Sequence, residues 1–510
     1  MEQKPKILIK HSRIEISDYD LGDAPQLEYL FSVWDAITHS QKFKAFDYNI
    51  KEKLLKLPRG MDIDALANVF MTEPVVDKVS DPFVDSDPIP IKYLAKDDRQ
   101  VEILKFILGE GQYLYTKKKS QLSINSATGS GKTYVTVASL CVSGARAIII
   151  TNNVGWLNQW KDRILEYTNL KESDIYMMVG KSAIDKILAR DDAIKYRIFL
   201  ASHSTIRSYG DTRGWDTVQL LFKKLQVRMK IFDEAHLYFD NLAKIDYNSN
   251  TKKTLYLTAT PQRSSKEEDL IYQEYFKNIP SIELFDKEND PHVNYVSMMF
   301  KSHPSPYDIR NFSKGQFGFD RNTYTRYLVS SPNFLKLVTL IIDMCLNIPG
   351  KILIYIGTNE AIVQVVNYIY NEFPFLVGHV GIYTSITDKD IKDDNLKKKF
   401  IISTTKSCGA ASDIKHLAAT VVLAEPFKSL VLARQTLGRC RDDNTLYIDV
   451  VDASCYRTKI YNKSKRNTFM EYAKTCKEIW VEDDSLDRKY NAIHEKYSKY
   501  KVMFMEIFKE

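Results

Sequence analysis

Glycine is scarce in this sequence, 19 of 510 residues, about half the usual share, and a collagen-like or Gly-rich linker chain is excluded. No apolar run approaches the roughly 18–20 residues that a membrane helix needs. The longest, such as Leu417 to Ala424, are strand-sized. The first residues, Met1-Glu2-Gln3-Lys4-Pro5-Lys6, lack the apolar core of a secretory signal. No two of the six cysteines (Cys141, Cys345, Cys408, Cys440, Cys455, Cys476) stand at C-x-x-C spacing, so a zinc site has no support and reduced thiols are expected. Repeats and low-complexity tracts are also missing. These absences point to a soluble cytoplasmic chain without a membrane partner. Hydrophobic residues make up 44% and charged residues 27%, an ordinary globular composition with room for about three domains. The net charge of +7 permits a polyanionic partner without demanding one.

Residues 81–90 hold three prolines and three acids and read as a linker. The preceding segment opens with two short strands, Ile7–Lys10 and Ile14–Ile16, followed by a helical patch around Leu27 to Ile37. Beyond the linker, apolar strands alternate with helical segments. The strands are expected at 121–125, 147–151, 197–202, 229–232 and 254–258, with helices at 133–141 and 155–167. A second set of strands is expected at 352–356, 400–403, 420–423 and 445–450. Short apolar strands alternating with helices imply parallel sheets covered on both faces. Lys230 interrupts one apolar run, which suggests that its strand lies near an edge or buries one face. The last 55 residues read as helical, and Tyr456–Arg466 carries five basic residues and no acid.

The clearest chemical signal is Ser126-Ala127-Thr128-Gly129-Ser130-Gly131-Lys132-Thr133, between a strand and a helix. Its glycines let backbone N–H groups turn around phosphates, and the helix N-terminus adds positive potential. Lys132 would reach the β- and γ-phosphates of ATP, and the Thr133 hydroxyl would ligate Mg²⁺. Ser126 replaces the usual first glycine of such loops. Downstream, Asp233-Glu234-Ala235-His236 follows a strand. Asp233 would hold the metal, and Glu234 would orient and deprotonate the attacking water. Next, Thr258-Ala259-Thr260 offers hydroxyls to those carboxylates. Near residue 440, Gln435-Thr436-Leu437-Gly438-Arg439-Cys440-Arg441 supplies guanidinium groups suited to a transition-state phosphate. Arg439 is the expected arginine finger, with Arg441 and Gln435 beside it.

This ordered set resembles the superfamily 2 helicases and translocases over about residues 91–455. The resemblance implies two RecA-like parallel-sheet lobes of α/β class, a small α+β N-terminal domain and a short helical C-terminal region. The corresponding divisions are 1–85, 86–285 for the ATP-binding lobe, 286–335 for a connection, 336–455 for the second lobe, and 456–510. It also implies that Arg99 and Gln100 read adenine. Asn153, Trp156 and Gln159, within the motif ending Leu157-Asn158-Gln159-Trp160, would contact nucleic acid, as would Ser204, Thr205 and Thr405. Asp413 would join the nucleotide site. In the family the second arginine of the last motif stands three positions after the first, at Asp442 here. Either the turn is one residue shorter or only one arginine reaches the phosphate.

The flanks are similar to the phage UvsW-like branch. The expected activity is an ATP-driven motor on single-stranded and branched DNA in replication, recombination or repair. The alternatives are a nucleotide-gated remodelling factor, an RNA helicase, or the motor subunit of a restriction or termination complex. A monomer is expected, with replication or recombination proteins as partners. Lys42, Lys44, Phe46, Lys53, Lys56 and Arg59 are expected to contact DNA from a semi-independent N-terminal domain.

Overall fold

The computed structural model of the chain describes residues 5–19, 32–34, 41–76, 87–126, 131–152, 154–258, 266–284, 293–313, 318–384, 386–408, 414–427, 433, 436–437, 440, 445–470 and 473–486. Two compact units divide the chain, Met1–Asp286 and Lys287–Glu510. Among the described residues no single helix is long and apolar enough to cross a membrane.

The first unit is built on a parallel seven-stranded sheet. Its spatial order is Ile175–Met178, Ile198–Ser202, Ala147–Thr151, Met229–Phe232, Lys253–Thr258, Gln121–Ser126, Ser281–Leu284. The five inner strands are the apolar runs legible in the sequence. The two outer strands are four residues each and carry too little pattern to stand out. The second unit holds another parallel seven-stranded sheet. Its order is Val380–Tyr383, Phe400–Ser403, Lys351–Ile356, Leu417–Ala424, Thr445–Asp452, Val293–Phe300, Ala473–Trp480. Both sheets are RecA-like lobes, with helices such as Pro332–Leu346 and Asn359–Glu372 packed through Leu337, Ile341, Val365 and Ile369 onto the second.

Two expectations for the second unit change. Residues 293–300, placed in a connection between lobes, form an inner strand. The C-terminal stretch is a helix, Tyr456–Phe469, followed by the strand Ala473–Trp480. Val293–Phe300 is buried at every position, and its polar residues find distant partners. Thr475 Oγ1 donates to Asn294 Oδ1 at 2.8 Å, and Asn462 Nδ2 donates to Ser297 Oγ at 2.6 Å.

The N-terminal segment forms a mostly antiparallel five-stranded sheet in the order Asp47–Asn49, Leu54–Pro58, Arg13–Ser17, Lys6–Ile9, Val75–Val76, with a helix at Ile63–Phe70. The helical patch expected near 27–37 contains instead the strand Ser32–Trp34, paired with Gln41–Lys44. Val and Trp suit the pleat of a two-stranded ribbon.

This sheet belongs to the first compact unit and docks through buried polar contacts, contrary to the expected independence. Arg13 Nη1 donates to the Tyr247 carbonyl at 2.7 Å, and Lys56 Nζ donates to Asn248 Oδ1 at 2.8 Å. Thr251 N donates to Ser12 Oγ at 3.2 Å, and Gln121 Nε2 to the Ser12 carbonyl at 3.2 Å. Gly60 permits the close approach, since a Cβ there would lie 2.2 Å from the Tyr275 carbonyl.

The residues read as DNA contacts are largely used in packing. Phe46 is a core residue with Lys44 Nζ 5.0 Å from its ring centroid, and Lys56 is buried. Burial pushes the Arg59 guanidinium below its ordinary pKa. Lys53 is exposed, and the Lys42 side chain lies outside the described residues.

Lys230 also departs from expectation. Its strand is the central one of seven, and the side chain is fully buried. Lys230 Nζ donates to Asp246 Oδ1 and, at 2.6 Å, to Ser249 Oγ. The other Asp246 oxygen accepts from Tyr256, from Tyr275 at 2.6 Å and from Gln121 at 3.3 Å. Removing one member leaves the other charge stranded in the core, which costs about 3–5 kcal/mol, whereas an apolar pair of similar volume is tolerated.

Two outcomes are expected. Asp246→Asn should lower unfolding free energy by about 3–5 kcal/mol, as read from urea midpoints. A chain begun near Asp85 should melt at a lower temperature than the full chain, because Asn248, Thr251 and the Tyr247 carbonyl lose their partners. An unchanged melting curve would show that the N-terminal sheet does not support the lobe.

Candidate active site

In an open parallel sheet, ligands bind beyond the carboxyl ends of the strands. Gln121–Ser126 leads there into the phosphate loop, and Lys132 opens the helix Lys132–Ser143. Ala127, Thr128, Gly129 and Ser130 lie outside the described residues. Gly131 has φ +88°, and a Cβ on it would meet Gln100 Nε2 at 2.2 Å. Glycine is therefore required on both conformational and steric grounds. The contact also brings Gln100 to the loop. Gln100 is buried near the start of the helix Asp98–Leu108, and its Oε1 accepts from Lys96 N at 2.8 Å. Arg99 beside it is exposed. Lys132 Nζ donates to the Ser126 carbonyl at 2.6 Å, which fixes the ammonium at the end of the strand Gln121–Ser126. Thr133 is half-buried next to it. The Ser126 hydroxyl is buried without a hydrogen-bond partner. The left-handed glycine, poised ammonium, helix N-terminus and unsatisfied hydroxyl fit a bound polyphosphate.

The carboxylates stand two strands away in the sheet. Asp233 follows Met229–Phe232, and its N–H donates to the Ile150 carbonyl at 2.9 Å. Ala235 N–H donates to the Leu257 carbonyl at 2.8 Å. The turn between is thus pinned to both neighbouring strands. Within it Glu234 has φ +50°, a sparsely populated conformation for a residue with a side chain and one that clusters at functional sites. Burial raises the Asp233 pKa above the ordinary carboxylate range, opposed by the Trp160 indole N–H, the Lys132 charge and the Glu234 backbone N–H. Trp160 Nε1 donates to Asp233 Oδ2 at 2.8 Å. His236 Nδ1 lies 3.4 Å from Glu234 Oε2 and 2.8 Å from Thr258 Oγ1. The Thr258 hydroxyl, expected on the metal-site carboxylates, thus meets the histidine. Ala259 and Thr260 lie outside the described residues.

Among the described residues no group of three His, Cys, Asp or Glu gathers to hold a metal. A cation here would use Thr133 and Asp233 together with phosphate oxygens, as Mg²⁺ commonly does.

The residues expected to touch nucleic acid divide. Gln159 and Ser204 are exposed and Thr205 is half-buried, whereas Trp156 is buried and Asn153 lies outside the described residues. Ser202 caps the helix His203–Arg213, accepting from Thr205 N at 3.1 Å. In the second lobe, buried Thr405 donates its N–H to Glu425 Oε2 at 2.9 Å and its hydroxyl to Oε1. Asp413, Gln435, Arg439 and Arg441 lie outside the described residues. Trp160 was present in the quoted motif but carried no assigned role, because a tryptophan at helical spacing reads as core. Only the fold reveals where its N–H points.

His203 is a second buried aromatic beside this turn. It stacks on Phe232 at 5.7 Å and 16°, and neither ring nitrogen has a hydrogen-bond partner. Burial lowers its pKa to about 4, with the Asp240 charge opposing. The unfolded chain therefore binds the extra proton between pH 6.5 and 4. The stability from neutral His203 is complete above about 6.5 and is lost as pH falls toward 4, a change of about 3 kcal/mol. His203→Phe should match or exceed the parent at pH 7 and lack that loss at pH 4.5, as read from urea midpoints at both pH values.

A protein-family profile described as "Type III restriction enzyme, res subunit" matches residues 94–263. The "DNA 3'-5' helicase XPB" of Mycobacterium tuberculosis is 27% identical over 144 residues, 28% of this chain and 24% of that protein. The "Transcript termination protein A18" of Yaba monkey tumor virus is 24% identical over 343 residues, 64% of this chain and 66% of that protein. The chain thus spans less than two thirds of either relative's length. In fold, it is similar to S. cerevisiae Dbp5, solved with RNA and ADP BeF3, with TM-score 0.52 and 13% identity over 80% of this chain and 92% of that one. With Lys132, Asp233 and Glu234 at one end of a RecA-like sheet, the chain is similar over residues 94–263 to this helicase-type profile and over 144 residues to XPB-like helicases.

Proposed function

We propose that the chain is an ATP-driven DNA helicase or translocase that acts on branched DNA in viral (phage) replication, recombination or repair. The observation that carries this reading is the placement of Lys132, Asp233 and Glu234 at the same end of one parallel sheet, with the Lys132 charge acting on Asp233.

ATP is the substrate. Lys132 neutralises its β- and γ-phosphates, the N–H groups around Gly131 cradle them, and Gln100 with Arg99 faces the base. Thr133 and Asp233 would hold Mg²⁺, which would supply charge neutralisation on the phosphate oxygens. Glu234 orients the attacking water and accepts its proton, and the strained turn at this residue fixes the carboxylate's direction. Arg439 is assigned the role of finger on the transition state, and Gln435, Arg441 and Asp413 are assigned to nucleotide binding and hydrolysis. Asn153, Trp156, Gln159, Ser204, Thr205 and Thr405 are assigned as nucleic-acid contacts. Trp156, being buried, contributes by shaping the helix. Polar backbone contacts of this kind give little sequence preference.

The A18 relative, named a transcript termination protein, favours one second reading, a motor that strips RNA from its template.

ATP turnover across single-stranded DNA, duplex, fork, four-way junction and RNA, with strand displacement alongside, separates the two. Forks and junctions should stimulate most; strongest stimulation by RNA would favour the second reading. Lys132→Ala should lose hydrolysis and weaken nucleotide binding. Glu234→Gln should retain binding and lose turnover by at least about a hundredfold, since its amide cannot take the proton. A Glu234→Gln protein turning over at the parent rate would remove the base assignment.

A further inference from the structure

Trp160 lies outside the roles given to Lys132 and Glu234, yet its side chain grips the carboxylate that is to hold the metal. The indole N–H is 2.8 Å from Asp233 Oδ2. Trp160 is 4% exposed, on the helix Val154–Tyr167, packed with Leu157 and Ile164. The opposite face of that helix is open to solvent at Asn158 and Gln159, and its N-terminus follows Asn153 on the expected nucleic-acid path. One rigid element therefore bears an exposed polar face and a buried donor aimed at the metal-site carboxylate.

We infer that Trp160 is a positioning residue through which this helix sets the direction of the Asp233 carboxylate, so that single-stranded DNA on the helix's exposed face tightens the site for magnesium–nucleotide. The inference rests on the proposed function, in which Asp233 is a metal ligand.

The physical basis is a division of labour at Asp233. Its backbone follows the sheet, because its N–H is tied to the Ile150 carbonyl at 2.9 Å. The remaining freedom is the side-chain rotamer, and the indole acts on that. An indole offers one donor in one direction, and packing around the ring fixes it relative to the helix. A hydrogen bond to a charged carboxylate is among the stronger kinds and depends steeply on angle. A small shift of the helix therefore either keeps the oxygen in place or releases it. Packed interfaces convert such sub-ångström shifts into discrete states. Loss of one charge-assisted bond at a ligand corresponds to about a tenfold change in affinity.

The competing explanation is that Trp160 merely fills the core. Replacing it with benzothienylalanine separates the two, because that residue keeps the ring's shape and lacks the N–H. The experiment uses the full chain in four forms: parent, Trp160→Phe, benzothienylalanine at 160, and Ile164→Val as a core control one turn away. Binding of a fluorescent ATP analogue is followed through a Mg²⁺ titration, with and without single-stranded DNA, and melting temperatures are recorded.

In the parent, DNA should lower the Mg²⁺ concentration needed for binding. Both position-160 variants should need about tenfold more Mg²⁺ and lose the DNA effect. Nucleotide binding in EDTA and melting temperature should match the Ile164→Val control. If Trp160→Phe fails to fold, the benzothienylalanine protein decides. Should that protein keep the parent's Mg²⁺ dependence and DNA response, Trp160 is core packing and the inference falls. A parent that binds magnesium–nucleotide without any DNA effect also overturns it, while the ATPase reading stands. A parent that binds no nucleotide sinks the ATPase reading itself.

Discussion

A fully buried lysine–aspartate pair holds the first lobe in its shape. Lys230 and Asp246 are both fully buried, one on the central strand and the other on the helix that follows it. A charge so placed is tolerated only while every donor and acceptor around it is satisfied. Here Ser249 accepts from the ammonium, and Tyr256, Tyr275 and Gln121 donate to the carboxylate. The strand that carries Lys230 ends at Asp233, and the strand that carries Gln121 ends at the phosphate loop, so one network fixes the feet of both catalytic elements. The second lobe repeats the device with the signs exchanged. Asp449 stands on the strand and Lys465 on the following helix, with Asn462 and Tyr295 filling the remaining positions. In both lobes the paired residues are 16 apart in the chain.

These networks also explain what the sequence could and could not tell. Inner strands such as Ala147–Thr151 are continuous apolar runs, and a parallel sheet covered on both faces demands such runs. The phosphate loop and the Asp233-Glu234 pair are local in sequence, so their chemistry could be read without a fold. Lys230 was misread as an edge signal because its partner lies 16 residues on, in the following helix. Asn294 and Ser297 hid an inner strand for the same reason, since their hydrogen-bond partners are residues 475 and 462. A polar residue in a strand signals exposure only if no distant partner exists, and partners of that kind are a property of topology.

The N-terminal sheet teaches a related lesson about charge. Its lysines and arginines looked like a DNA-binding face when counted along the chain. In the fold, Arg13 and Lys56 bind the end of the helix that leads away from Glu234, and Lys44 covers Phe46. A net charge of +7 says little about where positive potential is available, because buried cations are already neutralised.

The position of Val293–Phe300 has a consequence for how the chain reaches its native state. It is the first strand of the second sheet to be synthesised, yet its neighbours on either side are Thr445–Asp452 and Ala473–Trp480. The first of them emerges about 145 residues later, which at roughly 5–20 residues per second leaves an uncharged, apolar strand with both edges open for about 7–29 s. Such a segment is a ready template for pairing with another nascent chain. During that interval the helices Pro306–Phe312 and Arg321–Ser330 are already made. Phe312, Phe319 and Tyr324 form an aromatic group that shares a core with Val296, Met298 and Phe300. The aromatic residues that pack with this strand in the finished lobe are thus made before the strands that will close its edges.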